Sequence, residues 1–182
     1  MKKTLFAIMI LILGFSYTAP AGTASAAVNS GLSPDDGLIL TYSPSFTAPA
    51  KETFHVKKEG TFTYLHNKKS QQYPELANLV YIEDDFGLSA SLGYSDFVFV
   101  STPYPLKQGS TFMQSDHFDD YKVLVENTAK TVKVKAGTFK NTVILKYPDG
   151  SRVYLAKGIG MIKITDAAGK MTTELAAVKA GK

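Results

Sequence analysis

Cysteine and tryptophan are absent from this 182-residue chain, and histidine occurs only at His55, His66 and His117. The missing thiols exclude disulfides, thiolate catalysis and lipid attachment through a lipobox cysteine. A catalytic zinc centre draws on several His or Cys ligands at short spacings, and no His-x-x-x-His pair is available, so none is expected. No Gly-x-Ser-x-Gly elbow is present either. Helical periodicity is nearly missing: Tyr73 to Val80 (YPELANLV), with Pro74 suited to a first turn, is the one short helix expected. The formal charge is +4, two units of it from Lys2 and Lys3, which leaves +2 for the remainder. That balance is too small to point to nucleic acid.

One long apolar run exists, and it is N-terminal. Lys2 and Lys3 precede Leu5 to Phe15 (LFAIMILILGF), Pro20 and Gly22 then break the segment, and Ala24-Ser25-Ala26 supplies a small-x-small site. The run is short for a membrane span of ~20 residues and matches the apolar region of a secretory signal. Residues 1–26 are therefore expected to be a signal peptide cut between Ala26 and Ala27, releasing a protein to the exterior or the cell wall without a membrane anchor. The chain beyond that cut falls in the size range of a single domain able to bury an adequate core without cross-links.

Residues 27–37 (AVNSGLSPDDG) are small, polar and turn-rich and read as a flexible leader. Beyond them, strand signals dominate over 38–182. Tyr121 to Glu126 (YKVLVE) is followed by an expected turn at Asn127 to Lys130, and Thr131 to Lys135 (TVKVK) then alternates strictly. Asn141 to Tyr147, Ser151 to Ala156, Met161 to Thr165 and Met171 to Val178 complete six short strands, with Pro148-Asp149-Gly150 as a turn. The first half is less regular, with strands expected near Leu38 to Tyr42, Thr53 to Lys57, Thr61 to His66, Val80 to Glu83 and Asp96 to Thr102. The fold class is mainly β: a single-domain antiparallel sheet, either an open half-barrel or a sandwich.

Charge is segregated along the chain. Lys130, Lys133, Lys135, Lys140, Lys146, Arg152, Lys157 and Lys163 face a single acid, Asp149, between 130 and 163. Between 70 and 120 the charged residues are Glu75, Glu83, Asp84, Asp85, Asp96, Asp116, Asp119 and Asp120 against only Lys107. Because Lys133, Lys135, Lys146 and Lys163 alternate with apolar residues, they are expected on the outer face of the sheet. With Arg152 they form the candidate ligand-binding set, for an anionic wall polymer or an acidic protein. The same lysines also keep exposed strands soluble, a reading that needs no ligand.

Other chemistry is thinner. Ser115-Asp116-His117 holds the residue types of a hydrolytic triad, but neighbours on a strand point apart. Glu83-Asp84-Asp85 and Asp116, Asp119, Asp120 are oxygen-rich, yet their spacing does not match a calcium loop. Phe54, Phe62, Tyr64, Tyr73, Tyr81, Phe97 and Phe99 suit a β core or a concave apolar pocket. No catalytic residue, metal site or cofactor is expected.

Four blocks in order carry a family likeness: Pro105-Leu106-Lys107-x-Gly109, then Val134 to Asn141 (VKAGTFKN), then Tyr154 to Lys163 (YLAKGIGMIK), then Thr173-Glu174-Leu175. Over about residues 103–179 the chain resembles small exported bacterial proteins and lipoproteins that share this pattern. The pattern usually carries Trp where Phe112 stands, and often a second Tyr at Leu155. The resemblance implies a β-rich architecture, sometimes an open half-barrel, and brings no catalytic residues. A cysteine-free exported form is similar to secreted proteins of Gram-positive bacteria. The function expected is a secreted, non-catalytic binding protein of the cell envelope; a carrier of a hydrophobic ligand and a secreted hydrolase are the alternatives.

Overall fold

The computed structural model describes residues 27–67, 77–115 and 120–181. The expected signal peptide with its Ala26, Tyr73 to Glu75, and the Asp116, His117 and Asp119 positions lie outside those residues. Twelve strands follow one another among the described residues: β1 (Leu38–Tyr42), β2 (Glu52–Glu59), β3 (Phe62–His66), β4 (Leu79–Glu83), β5 (Gly87–Leu92), β6 (Val98–Pro103), β7 (Thr111–Ser115), β8 (Asp120–Val134), β9 (Gly137–Lys146), β10 (Arg152–Ala156), β11 (Gly160–Thr165) and β12 (Met171–Ala180). All pair antiparallel in a single sheet ordered β6-β5-β4-β3-β2-β1-β12-β11-β10-β9-β8-β7. One curled sheet replaces the two layers of a sandwich, so the barrel alternative holds and the sandwich does not.

The two sheet edges, β6 and β7, meet through side chains. The Ser101 amide donates to Gln114 Oε1 (3.1 Å), and the Tyr147 hydroxyl donates to the Phe99 carbonyl (2.9 Å). Gln114 is almost fully buried, and its amide also donates to the Tyr121 hydroxyl (2.8 Å). Edge groups left bare invite pairing with another chain; here side chains occupy part of them and leave a seam in a nearly closed barrel.

Alternation places Leu40, Tyr42, Phe54, Leu65, Leu79, Tyr81, Val100, Leu145, Leu155 and Met161 in the interior with no exposure, and Ile162, equally buried, is the extra residue at the register shift opposite Tyr154 and Leu155. A side chain with zero accessibility borders no void large enough for a water. Bonds also cross the interior directly. The Tyr42 hydroxyl on β1 donates to the Met161 carbonyl on β11 (2.9 Å), and the Met161 amide donates to the Tyr81 hydroxyl from β4 (3.3 Å). Burial pushes both phenols up from their ordinary value. Gly160 makes this possible: its φ is +83°, and a Cβ there would stand 2.8 Å from the Tyr81 hydroxyl.

Three expectations need correcting. Asn127 to Lys130 is no turn: β8 runs through it, absorbing the extra residues as register shifts at Val125/Asn127, Asn127/Lys130 and Lys130/Val132. Such bulges bend a strand without ending it. The helix expected to reach Val80 is overridden within the described residues, since Leu79 and Val80 belong to β4 and pair with Leu65 and Tyr64. Residues 27–37 are no flexible leader. They form a strap across one end of the barrel: Val28 bridges Leu106, Leu32 is 1% exposed, and Pro34 bridges Gly158. The Glu83 carboxylate at the end of β4 anchors the strap, accepting the amides of Gly31 (2.7 Å), Leu32 (2.8 Å) and Ser33 (3.0 Å) and the Ser33 hydroxyl (2.5 Å). The Tyr104 hydroxyl donates to it as well.

Candidate functional site

The face opposite Val143, Leu145, Val153 and Leu155 carries the basic residues. One outward row runs Asn127, Ile144, Tyr154, Lys163, Glu174 across β8 to β12, residue opposite residue. A second brings Leu124, Lys146 and Arg152 side by side. Alternation puts a residue one step from the core face on the opposite side of the sheet, and in this row Ile144 and Glu174 are nonetheless covered by their neighbours.

The five candidate cations are not equivalent. Arg152 makes a two-pronged bond to Glu126, Nε to Oε2 at 2.8 Å and Nη2 to Oε1 at 2.9 Å, and also reaches the Gly150 carbonyl. The Arg152 hydrogen bonds hold the Glu126 carboxyl below its usual value, with further attraction from Lys146 and Lys130. Lys135 is tied down at both ends. Its amide donates to Glu174 Oε1 (3.2 Å), while its amine meets Glu174 Oε2 (3.0 Å) and the Ser43 carbonyl (2.8 Å). Together with the Ala136 amide on the Leu175 carbonyl (3.1 Å), these bonds fasten the β8–β9 hairpin tip to β12. The Lys163 amine lies 5.2 Å from the centre of the Tyr154 ring, a cation–π arrangement.

Lys133 and Lys146 differ from these three. Lys133 is exposed, Lys146 is half-buried, and neither makes an ion pair among the described residues. Exposed Lys130 and Lys140 extend the cationic zone along the same hairpin. The sequence run from 130 to 163 contained one acid; the folded face contains Glu126 and Glu174 too, brought in from just outside that run by β8 and β12. Counting along the chain cannot see acids contributed by a neighbouring strand.

The acidic group at 83–85 is split by the fold. Glu83 turns inward onto the strap, whereas Asp84 accepts the amides of Phe86 (2.8 Å) and Gly87 (3.0 Å) and closes the β4–β5 turn. Half-burial alone would raise the Glu83 carboxyl, but the bonds from Ser33, Tyr104 and the Leu32 amide outweigh it and hold the group below its ordinary value. Burial and the same contact push the Tyr104 phenol up. Among the described residues, no group of three or more His, Cys, Asp or Glu is gathered closely enough to hold a metal. Ser115 ends β7 and is exposed.

The aromatic residues divide as well. Phe54 and Tyr81 are core, but Phe62 is 41% and Phe97 55% exposed. Tyr64 and His66 share the outward face of β3 with Phe62, beside a groove of about 350 Å³. Nothing in the sequence pattern marks that groove, because a Tyr or Phe on a strand reads the same on either face.

No protein-family model and no curated protein matches this sequence. Among solved structures, the chain is similar to a candidate lipoprotein from Parabacteroides distasonis at a TM-score of 0.36 and 11% identity, over 82% of this chain and 99% of that one. A likeness of that size carries no conclusion about the site.

Proposed function

We propose that this is a secreted, non-catalytic binding module of the cell envelope, which holds an anionic wall polymer on the outer face of β8 to β11. The observation that carries the reading is the pair of roles among its cations. Arg152 and Lys135 are consumed by Glu126 and Glu174 and stiffen the face, while Lys133, Lys146, Lys130 and Lys140 make no close ion pair among the described residues, Lys146 and Lys130 acting on Glu126 only at longer range. Amines spread along a rigid hairpin attract a flexible polyanion without demanding one geometry, and the attraction weakens with salt. Among the described residues, Tyr42, Tyr81 and Met161 lie inside with no exposure and bond to one another across the interior, which supports this reading over a carrier.

Co-sedimentation with purified cell wall tests the proposal. Retention of the mature protein should fall about tenfold in the Lys133→Glu, Lys146→Glu double variant, and fall similarly for the unaltered protein between about 0.05 and about 0.5 M salt. Equal retention of both proteins at low salt would remove the assignment.

A further inference from the structure

We infer that the outer face of β2 to β4 is a separate binding surface for a glycan chain of low charge, stacked on Tyr64 and Phe62. Three observations meet there. The rings of Phe62 and Tyr64 lie 6.1 Å apart with planes only 6° from parallel, and His66 continues the line at 6.2 Å from Tyr64. The three residues are two apart on one strand, so their rings form a ridge rather than part of the core; Thr63 and Leu65 between them point inward and are fully buried. Beside the ridge runs the open groove, bordered by Lys57, Glu59, Tyr64, His66 and Val80.

The chemistry of this surface matches a sugar chain better than the polyanion proposed for the opposite side. An aromatic face is electron-rich and attracts the C–H groups on the flat side of a pyranose ring. Such a ring also presents hydroxyls around its edge, which need donors and acceptors nearby. Lys57 and Glu59 provide both and pair with each other at 2.6 Å, leaving the rim without net charge. The Tyr64 hydroxyl and the His66 ring nitrogens add polar atoms beside the groove that both residues border. An open, ridge-lined groove lets a chain run past, whereas an enclosed cavity would select a single small molecule. Phe62 and its cross-strand neighbour Ile82, each 41% exposed, extend the apolar strip along the chain's path.

An N-acetylglucosamine hexamer is a suitable probe, followed by backbone-amide shifts in the mature protein. Shifts should centre on Phe62, Tyr64 and His66, with weak affinity of about 0.1–1 mM. Tyr64→Ala should weaken binding about tenfold, whereas Tyr64→Phe, which keeps the ring, should lose less than about threefold. Binding should persist at high salt and in the Lys133→Glu, Lys146→Glu protein, which separates this surface from the basic one. No shifts at those three amides, or an unchanged affinity in Tyr64→Ala, overturns the inference. Concentration-dependent dimerisation abolished by Tyr64→Ala overturns it too, since the ridge would then belong to a second copy.

Discussion

The two flanks of this barrel follow the same rule of alternation and arrive at different outer surfaces. On β8 to β11 the inward residues are largely aliphatic and the outward rows mix cations with Asn127, Leu124, Ile144 and Tyr154. On β2 to β6 aromatic residues occur on both faces: Phe54 and Tyr81 inward, Phe62 and Tyr64 outward. Flank chemistry follows from that difference. One side offers amines on a stiffened hairpin, the other a neutral aromatic ridge. The strap at 27–37 ties them together, since it touches β4 through Glu83, the β6–β7 connection through Leu106, and the β10–β11 corner through Gly158.

The strap therefore provides the sharpest way to break the comparison. Replacing Glu83 by Gln puts an amide where two carboxylate oxygens accept four backbone or hydroxyl donors and the Tyr104 hydroxyl. Hydrogen bonds to a charged acceptor each count for more than neutral ones, but solvent reaches half of this group, so the expected loss is about 2–3 kcal/mol. The Glu83 carboxyl is held below its ordinary value of 4.5 in the folded protein. Its contribution is therefore complete above that value and disappears as the pH drops through the lowered one. Denaturant midpoints measured from neutral pH into acid should show wild type converging on Glu83→Gln. Parallel curves, or a loss under about 1 kcal/mol, would mean that the strap lies on the barrel without anchoring it.

A smaller effect is expected where the flanks meet inside. Tyr81→Phe removes the hydroxyl that accepts the Met161 amide while leaving the ring and the packing in place. An amide left without a partner in a fully buried position costs about 1–2 kcal/mol. Hydrogen exchange at Met161 reports it directly: faster exchange in the variant is expected, with the amides of β8 unaffected. Unchanged exchange would show that water replaces the phenol and that the interior is less tightly filled than its zero exposures indicate.

Legibility in the sequence follows the same division. The strands from Asn141 onward are readable because they are dense in β-branched and aliphatic residues and glycine-containing turns separate them. β5 (GLSASL) and β7 (TFMQS) are not, since serine, alanine and glutamine carry little strand preference and their pairing comes from neighbours. The long β8 reads as two strands because of Asn127, a turn-former that the fold uses in a bulge instead. Of the site, the outward lysines are legible, but their partners Glu126 and Glu174 are not, being close only through strand pairing. Glu83 carries a signal that composition hides. Leu79, Tyr81 and Glu83 are successive inward positions of one strand, so alternation alone assigns that carboxylate to the core side, where it must find donors.

The smallest expected effect concerns the cations themselves. The Arg152–Glu126 pair is bidentate, yet both side chains are about a third exposed, at 29% and 32%. Geometry argues for a real contribution and solvent screening argues against a large one, which places the coupling at about 0.5–1 kcal/mol. A double-mutant cycle of Arg152→Ala and Glu126→Ala on denaturant stability measures it, and about 0.5 M salt should reduce it. Because Arg152 holds the Glu126 carboxyl below its usual value, the coupling should be present at neutral pH and vanish as acid protonates Glu126. A measurable coupling keeps Arg152 among the residues that stiffen the basic face. A coupling of zero frees its guanidinium for ligand, and Arg152→Ala should then weaken wall retention as strongly as the change at Lys146.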